Sequence, residues 1–192
     1  MGNIRLAREE DAQEILNIYR PYIEDTAVSF ETEVPTIVEI RRRIRCSLDN
    51  YCWLVWEEGG QIRGYAYASK HRERAAYRWA VDVSIYIDGH WHGKGVGKAL
   101  YSSLFAILRL QGYFNLYACI CLPHPKSVGI HEYFGFKKNA HFHQVGYKLG
   151  QWWDIGWWEM FLSDKSIVPG EPLSISKLDQ NEVQRILAKP VT

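Results

Sequence analysis

The chain has 192 residues, 47% of them hydrophobic, and carries 23 Lys and Arg against 22 Asp and Glu, a net charge of +1. That length supports one substantial core, and so even a charge balance leaves no electrostatic footprint for nucleic acid or an anionic membrane. No run approaches the ~20 apolar residues of a membrane span, and the charged start MGNIRLAREEDA has no apolar signal region, so a cytoplasmic protein with neither partner is expected.

In chain order, a strand is predicted over 3–6, then a helix over 9–23. Glu9, Glu10 and Asp11 complement that helix's N-terminal dipole, and Pro21 should kink or shorten it. A second helix over 36–47 opens with Thr36 and Glu39 at capping-box spacing, and the arginine run 41–43 reads as its solvated face. Strands follow over 52–57 and 61–69, joined by a turn at Gly59 and Gly60. The β-branched stretch VDVSIYID predicts a strand over 80–88, buried at Val83, Ile85 and Ile87. Val96, Leu100, Leu104, Ile107 and Leu108 repeat at helical spacing and predict a helix over 96–111, with Gly112 as its stop. A strand over 115–121, a short helix over 126–134 and strands over 137–146 and 153–162 complete a mixed α/β pattern with antiparallel hairpins.

Beyond Leu162 the composition turns polar, punctuated by Pro169, Pro172 and Pro190, with one helix candidate over 179–188. The expected organisation is a domain over 1–162 and a C-terminal extension over 163–192. Cys46, Cys52, Cys119 and Cys121 are too scattered for a disulfide framework, and Cys119 and Cys121 are expected as same-face core residues of a strand.

Between the strand at 80–88 and the helix at 96–111 lies HWHGKGVGKAL, with glycines at every second position, Gly93, Gly95 and Gly97. Glycines in series let backbone amides turn toward one anion, and a helix starting there adds its positive pole. The spacing is wrong for a P-loop, because only three residues separate Gly93 from Gly97-Lys98, and Ala99 follows where a metal-binding Ser or Thr is needed. It is equally wrong for the dinucleotide fingerprint, which reads G-x-G-x-x-G. A tight turn that binds nothing remains the plain alternative.

The loop resembles the acyl-CoA loop of the GNAT acetyltransferases, with His92, Gly95 and Gly97 in its three slots, although His92 departs from the usual Arg or Gln. RERAAYRWAVDVSIYI (72–87), LPHPKSVGIHEYFGF (122–136), GQWWDIGWWEM (150–160) and SFETEVPT (29–36) resemble motifs of the phosphinothricin and methionine sulfoximine acetyltransferase branch. The resemblance implies a GNAT fold, a mixed central β-sheet flanked by helices. It also implies transfer of an acetyl group from acetyl-CoA to the primary amine of a small amino-acid-like acceptor, with no metal. Backbone of Ile85, Tyr86 and Ile87 would take the pantetheine arm, the amides of Gly93, Lys94, Gly95, Val96, Gly97 and Lys98 the pyrophosphate, and His124 a position where an Asn usually contacts the cofactor. Asp82 stands where the branch usually has a catalytic Glu, and His131 where it commonly has His. A homodimer is implied as well.

An ammonium has no lone pair, so the acceptor must lose a proton before it attacks a thioester, and Asp82 is the expected base, directly or through water. The alternative for Asp82 is an ion pair with Arg72 or Arg78. His131 is the expected donor to the departing thiolate, with packing as its alternative. An N–H freed by a bulge near Val83 to Ile85 would hold the oxyanion. Arg72, Arg74, Tyr77 and Arg78 are expected to grip an anionic group of the acceptor. His141 and His143 form an H-x-H pair without an evident third ligand, which strand alternation explains better than metal. Trp152, Trp153, Trp157 and Trp158 are expected as core and interface aromatics, some walling the acceptor site. Two further readings are a CoA-binding sensor of the same fold without turnover, and a peptide N-terminal acetyltransferase with an open groove.

Overall fold

The computed structural model describes residues 2–166 and 168–188. Seven strands form one sheet in the order β1-β2-β3-β4-β5-β7-β6. In the chain they are β1 (Asn3–Leu6), β2 (Trp53–Glu58), β3 (Gln61–Lys70), β4 (Ala80–Ile87), β5 (Asn115–Leu122), β6 (Lys137–Lys148) and β7 (Gln151–Phe161). Every neighbouring pair is antiparallel except β4 with β5, which run parallel. The crossover between those two is α3 (Val96–Gln111), as a parallel connection requires. The other helices are α1 (Ala12–Glu24), α2 (Ile37–Asn50), α4 (Pro125–Tyr133) and α5 (Gln180–Leu187). This is the mixed α/β sheet with flanking helices expected from the sequence.

Alternation along β4 divides the molecule. Val81 and Val83 face α3 and join the larger core with Leu100, Leu104, Ile107 and Leu108, whose side chains are wholly buried. Each such residue contributes about 1.5–3 kcal/mol by leaving water. The opposite face meets α1 and α2, where Ile15, Ile23, Ile40 and Ile44 pack against Val55, Ile62 and Tyr65. Asp82, Ser84 and Tyr86 point to that second face. Ile85 and Ile87, expected to be buried, are only half-buried, because β4 has parted from β5 by the time it reaches them.

Several expectations shift at element ends. Pro21 does not shorten α1; the helix continues to Glu24, and the Asp25 N–H reaches the Pro21 carbonyl. What proline lacks is its own N–H, and a position near the helix end tolerates that loss better than a central one. The first turn of the predicted helix is a separate 3₁₀ turn at Glu9–Asp11. Thr36 caps α2 as its spacing predicts, accepting from the Glu39 N–H. The arginine run does more than face water: Arg43 spans from Glu39 to Glu31, 2.6 Å from the Glu31 carboxylate. Gly112 closes α3 in the left-handed region at φ 88°, donating to the Leu108 and Arg109 carbonyls.

The segment after Leu162 packs on the same sheet. Ile175, Leu178, Val183, Ile186 and Leu187 enter the larger core, and the Leu173 N–H bonds the Gln111 carbonyl. The α5 pattern that the sequence offered over 179–188 falls at Gln180–Leu187, capped by Asp179. Pro190 lies outside the described residues.

Candidate active site

The ladder between β4 and β5 has only three rungs, Ala80–Asn115, Val81–Leu116 and Asp82–Tyr117, after which the strands separate. The β3–β4 register runs unbroken to Gly64–Ile87, and Asp88 N–H still bonds the Arg63 carbonyl. Counting back in twos from Asp88, the backbone groups of Tyr86 and Ser84 belong to the β3 ladder, while those of Ile85 and Ile87 point into the gap. The unpaired strand amide expected from a bulge therefore exists at Ile85, but strand divergence frees it; no bulge interrupts β4. Tyr86 is corrected on the same ground: its backbone is already used. Ile87 points correctly, yet its carbonyl accepts from Tyr22 Oη at 2.6 Å.

A narrow cavity of about 50 Å³ fills the gap, lined among others by Ile85, Cys119, His124, Ser127, Tyr101 and His131. Cys119 is thus a cleft residue, exposed and on the same face as Cys121 but outside the core. A much larger cavity, about 700 Å³, lies between α1 and the turn after β4, around Glu14, Pro21, Tyr22, Arg63, Asp88 and His92. At the smaller one Tyr101, His124, His131 and the free backbone of Ile85 converge.

At its open end stands the N-terminus of α3. Gly93 and Gly95 adopt φ of 77° and 84°, and Gly95 caps the helix with no side chain to offer. The first intrahelical bond runs from the Ala99 N–H to the Gly95 carbonyl, so the amides of Val96, Gly97 and Lys98 carry no helix partner. A Cβ on Gly97 would fall 2.8 Å from Ile130 Cδ1 and 3.1 Å from Ile87 Cδ1, so glycine lets α3, α4 and β4 meet at this corner. Three open amides at a helix's positive pole, approached over glycine, fit a pyrophosphate. Lys98 and Lys94 lie over the rings of Tyr133 and Trp91, at 3.7 and 4.6 Å. His92 turns away from this loop: its Nε2 contacts Tyr22 Oη at 2.9 Å and the Ile87 carbonyl at 3.1 Å.

Asp82 sits where the strands part. Burial raises its carboxyl above the usual value, opposed by the hydrogen bond and charge of His71 and by Arg72. His71 Nδ1 lies 2.6 Å from Asp82 Oδ1, a partner that neither motif nor spacing had singled out. The ion-pair alternative for Asp82 thus resolves to His71, with Arg72 acting at longer range. Arg72 stacks over Trp157 at 5.7 Å on the same side. Tyr77 meets the edge of His71 at 6.0 Å. Arg78 is drawn elsewhere, to Glu171, the Ala75 carbonyl and the Trp79 ring, and Arg74 is exposed at the turn before Ala75. Of the four residues expected to grip an acceptor, the structure brings Arg72 and Tyr77 to Asp82 and holds Arg78 away.

His131 is buried. Its Nδ1 lies 2.7 Å from the Ser127 carbonyl, which can only accept, so that nitrogen carries the hydrogen. Nε2 then accepts from Tyr101 Oη at 3.0 Å. The ring meets the cleft through a tyrosine hydroxyl and not with an N–H of its own. Tyr101 had been legible only as a helix position. Burial lowers His131 below its usual value, partly offset by the Ser127 hydrogen bond. His124 caps α4 by accepting from the Ser127 N–H at 3.3 Å, which leaves its Nε2 edge for the cleft. Burial lowers this histidine too.

Elsewhere, His141 and His143 do have a third neighbour. Asp154 lies 2.7 Å from His141 Nε2 and 3.3 Å from His143 Nδ1, on an exposed surface where the β6–β7 register slips. That slip, with Gln144 at φ 47°, brings two alternate strand residues to one carboxylate, which strand alternation alone does not do. Trp158 is core, Trp157 walls the His71 side, Trp153 packs beside Cys121 and Trp152 is exposed.

A profile described as an acetyltransferase (GNAT) domain matches residues 4–157. This chain belongs to the GNAT acetyltransferase family. It is 35% identical over 156 residues to a phosphinothricin N-acetyltransferase of Streptomyces viridochromogenes, covering 81% of this chain and 85% of that one. It is 31% identical to an L-methionine sulfoximine/L-methionine sulfone acetyltransferase of Salmonella typhimurium, over 84% and 95% of the two chains. Among solved structures, a GNAT phosphinothricin acetyltransferase from Sinorhizobium meliloti in complex with AcCoA superposes with a TM-score of 0.86 at 32% identity, covering 92% of this chain and 97% of that one. Among the described residues, no helix is long and apolar enough to cross a membrane.

The buried His131 generates a stability prediction. Its folded value lies below the ordinary 6.5, so under acid the unfolded chain takes up a proton that the folded chain refuses. Stability should be fully present above about pH 6.5 and fall as the pH drops below it, by a steeper slope in wild type than in His131→Gln. Urea unfolding of both proteins at a series of pH values reads the difference, and equal slopes would mean that His131 is not held neutral by the fold.

Proposed function

We propose that this GNAT protein moves an acetyl group from acetyl-CoA to the primary amine of a small, anionic, amino-acid-like acceptor of the phosphinothricin or methionine sulfoximine type. The observation that carries this reading is the alignment of one gap: open amides of α3 at one end, Ile85 along its wall, Asp82 at its apex. A pyrophosphate at Val96–Lys98 and a pantetheine arm along Ile85 would lead a thioester toward Asp82. Acetyl-CoA supplies the activated acetyl carbon, and this chain's residues position and protonate around it. The Ile85 N–H is the available donor for the oxyanion.

The proton of the acceptor ammonium leaves toward Asp82, and the neutral amine attacks. The second N–H proton is lost as the C–S bond breaks and ends on the thiol. The Tyr101 hydroxyl, which burial keeps protonated, gives its single hydrogen to His131 Nε2 at rest and would turn it to the departing sulfur. Arg72 beside Trp157 offers a guanidinium to the acceptor's carboxylate or phosphinate. His124 replaces the amide side chain usual at its position and would meet the cofactor with its Nε2 edge.

The same reading takes the protein as a cytoplasmic homodimer. Support comes from the outer strand pair, where Phe142, Val145, Tyr147, Leu149 and Trp152 are all large, apolar and exposed. Exposed apolar side chains gathered on one strand pair are characteristic of interfaces.

A panel of free amino acids, phosphinothricin, methionine sulfoximine and short peptides, assayed for CoA release, separates the readings. Release with the small anionic amines is expected. Release with peptides alone would point to an N-terminal acetyltransferase, and acetyl-CoA binding without any release to a sensor. On the best acceptor, Asp82→Asn should lower turnover about 10²- to 10⁴-fold while acetyl-CoA affinity by calorimetry stays unchanged. Sedimentation velocity of the wild type should show a dimer.

A further inference from the structure

The reading above leaves the atom that takes the amine's proton unassigned, and the geometry around Asp82 assigns it. We propose that His71 Nε2 is the proton acceptor, with Asp82 as the residue that orients the imidazole. This inference rests on the acetyl-transfer reading and specifies its first step.

The 2.6 Å contact between His71 Nδ1 and Asp82 Oδ1 fixes the tautomer. An ionised carboxylate can only accept, so Nδ1 carries the hydrogen and the lone pair is on Nε2. Nε2 has no hydrogen-bond partner among the described residues, and it is not among the sealed, unsatisfied polar atoms. The ring itself is held on three sides. It stacks on Tyr117 at 4.3 Å and 18°, meets Trp157 edge-on at 5.9 Å and 83°, and meets Tyr77 at 6.0 Å. Only 12% of the His71 side-chain surface is exposed, against 26% for Asp82. An imidazole so clamped offers one basic nitrogen in one direction, the arrangement that makes a carboxylate-backed histidine an effective base.

The short reach of aspartate then has a reason. One Asp82 oxygen is committed to His71, and the ring extends the carboxylate's influence by the width of an imidazole. Arg72 projects on the same side over Trp157, so an aromatic-walled site holds one guanidinium and one basic nitrogen. That pairing suits an acceptor with an anionic group and a primary ammonium a few bonds apart.

The step balances. The ammonium N–H bond breaks and its electron pair stays on nitrogen. The proton joins His71 Nε2, giving an imidazolium paired with the Asp82 carboxylate. The freed pair forms the C–N bond, and the His71 proton passes to solvent after the C–S bond has broken. Tyr117 and Trp157 shield the ion pair from water, and the opposite charges 2.6 Å apart stabilise it.

The test uses the full chain, acetyl-CoA and an acceptor that the wild type acetylates. His71→Gln can still donate to Asp82 but has no base, and His71→Ala leaves an imidazole-sized space. Both should lose turnover about 10²-fold or more, chiefly in kcat, with acetyl-CoA affinity by calorimetry unchanged as the check on folding. Added imidazole should restore part of the turnover to His71→Ala and none to Asp82→Asn. Wild-type kcat in His71→Gln, or no rescue of His71→Ala by imidazole, would overturn the assignment and leave His71 a packing partner of Asp82. Failure of the underlying reading looks different: wild type binds acetyl-CoA yet releases no CoA with any amine, and the assignment then falls with it.

Discussion

The parting of β4 from β5 after the Asp82–Tyr117 rung is the constraint on which the rest of the structure depends. A parallel pair whose ladder stopped for no reason would leave backbone donors and acceptors unsatisfied, and a buried strand cannot leave such groups unpaired cheaply. Here the free groups border a cleft. β4 stays fully bonded to β3 on its other edge, so the sheet survives the opening. The α3 crossover, whose apolar stripe is wholly buried, supports both strands from one side. The gap is therefore bounded by a fully paired strand on its β3 side and by packed core on its α3 side.

Charge and burial are arranged around that opening in a consistent way. The histidines on the α4 side, His124 and His131, are both held toward the neutral form by burial, and each uses a ring nitrogen to satisfy α4 backbone. On the opposite side burial raises the Asp82 carboxyl above its usual value, and His71 and Arg72 counter that. The two sides thus differ in kind: neutral rings and the Tyr101 hydroxyl where a sulfur would leave, a carboxylate paired with an imidazole where an amine would arrive. A direct transfer needs that polarity across a few ångströms.

Much of the fold was legible because its signals are local. The apolar repeat from Val96 to Leu108, the β-branched run before it and the Thr36 and Gly112 caps each depend on residues a few positions apart, and the elements fall where those patterns put them. Glycine at 93 and 95 was legible as a turn feeding a helix because the positive φ values there are local to the loop, whereas the closeness of Ile130 to Gly97 comes only from the packing of α4. His71 and Tyr101 were missed for the opposite reason. His71 follows Lys70 at the end of β3, and only the antiparallel register, Ser69 against Asp82, brings it beside a residue eleven positions on. Tyr101 lies on the buried stripe of α3 and reads as core until α4 folds over it. Arg78 looked like an acceptor ligand by proximity in sequence, but Glu171 and Trp79 draw it away. The third neighbour of His141 and His143 was likewise hidden, since a strand-pair slip supplies it.

Amide hydrogen exchange, read residue by residue with and without acetyl-CoA, tests the strand gap most directly as the acyl-CoA site. Saturating acetyl-CoA should slow exchange at Ile85 and at Val96, Gly97 and Lys98, while Tyr86, already bonded into the β3 ladder, changes little. Acetyl-CoA binding that leaves Ile85 and the α3 amides exchanging as in the free protein would contradict the account.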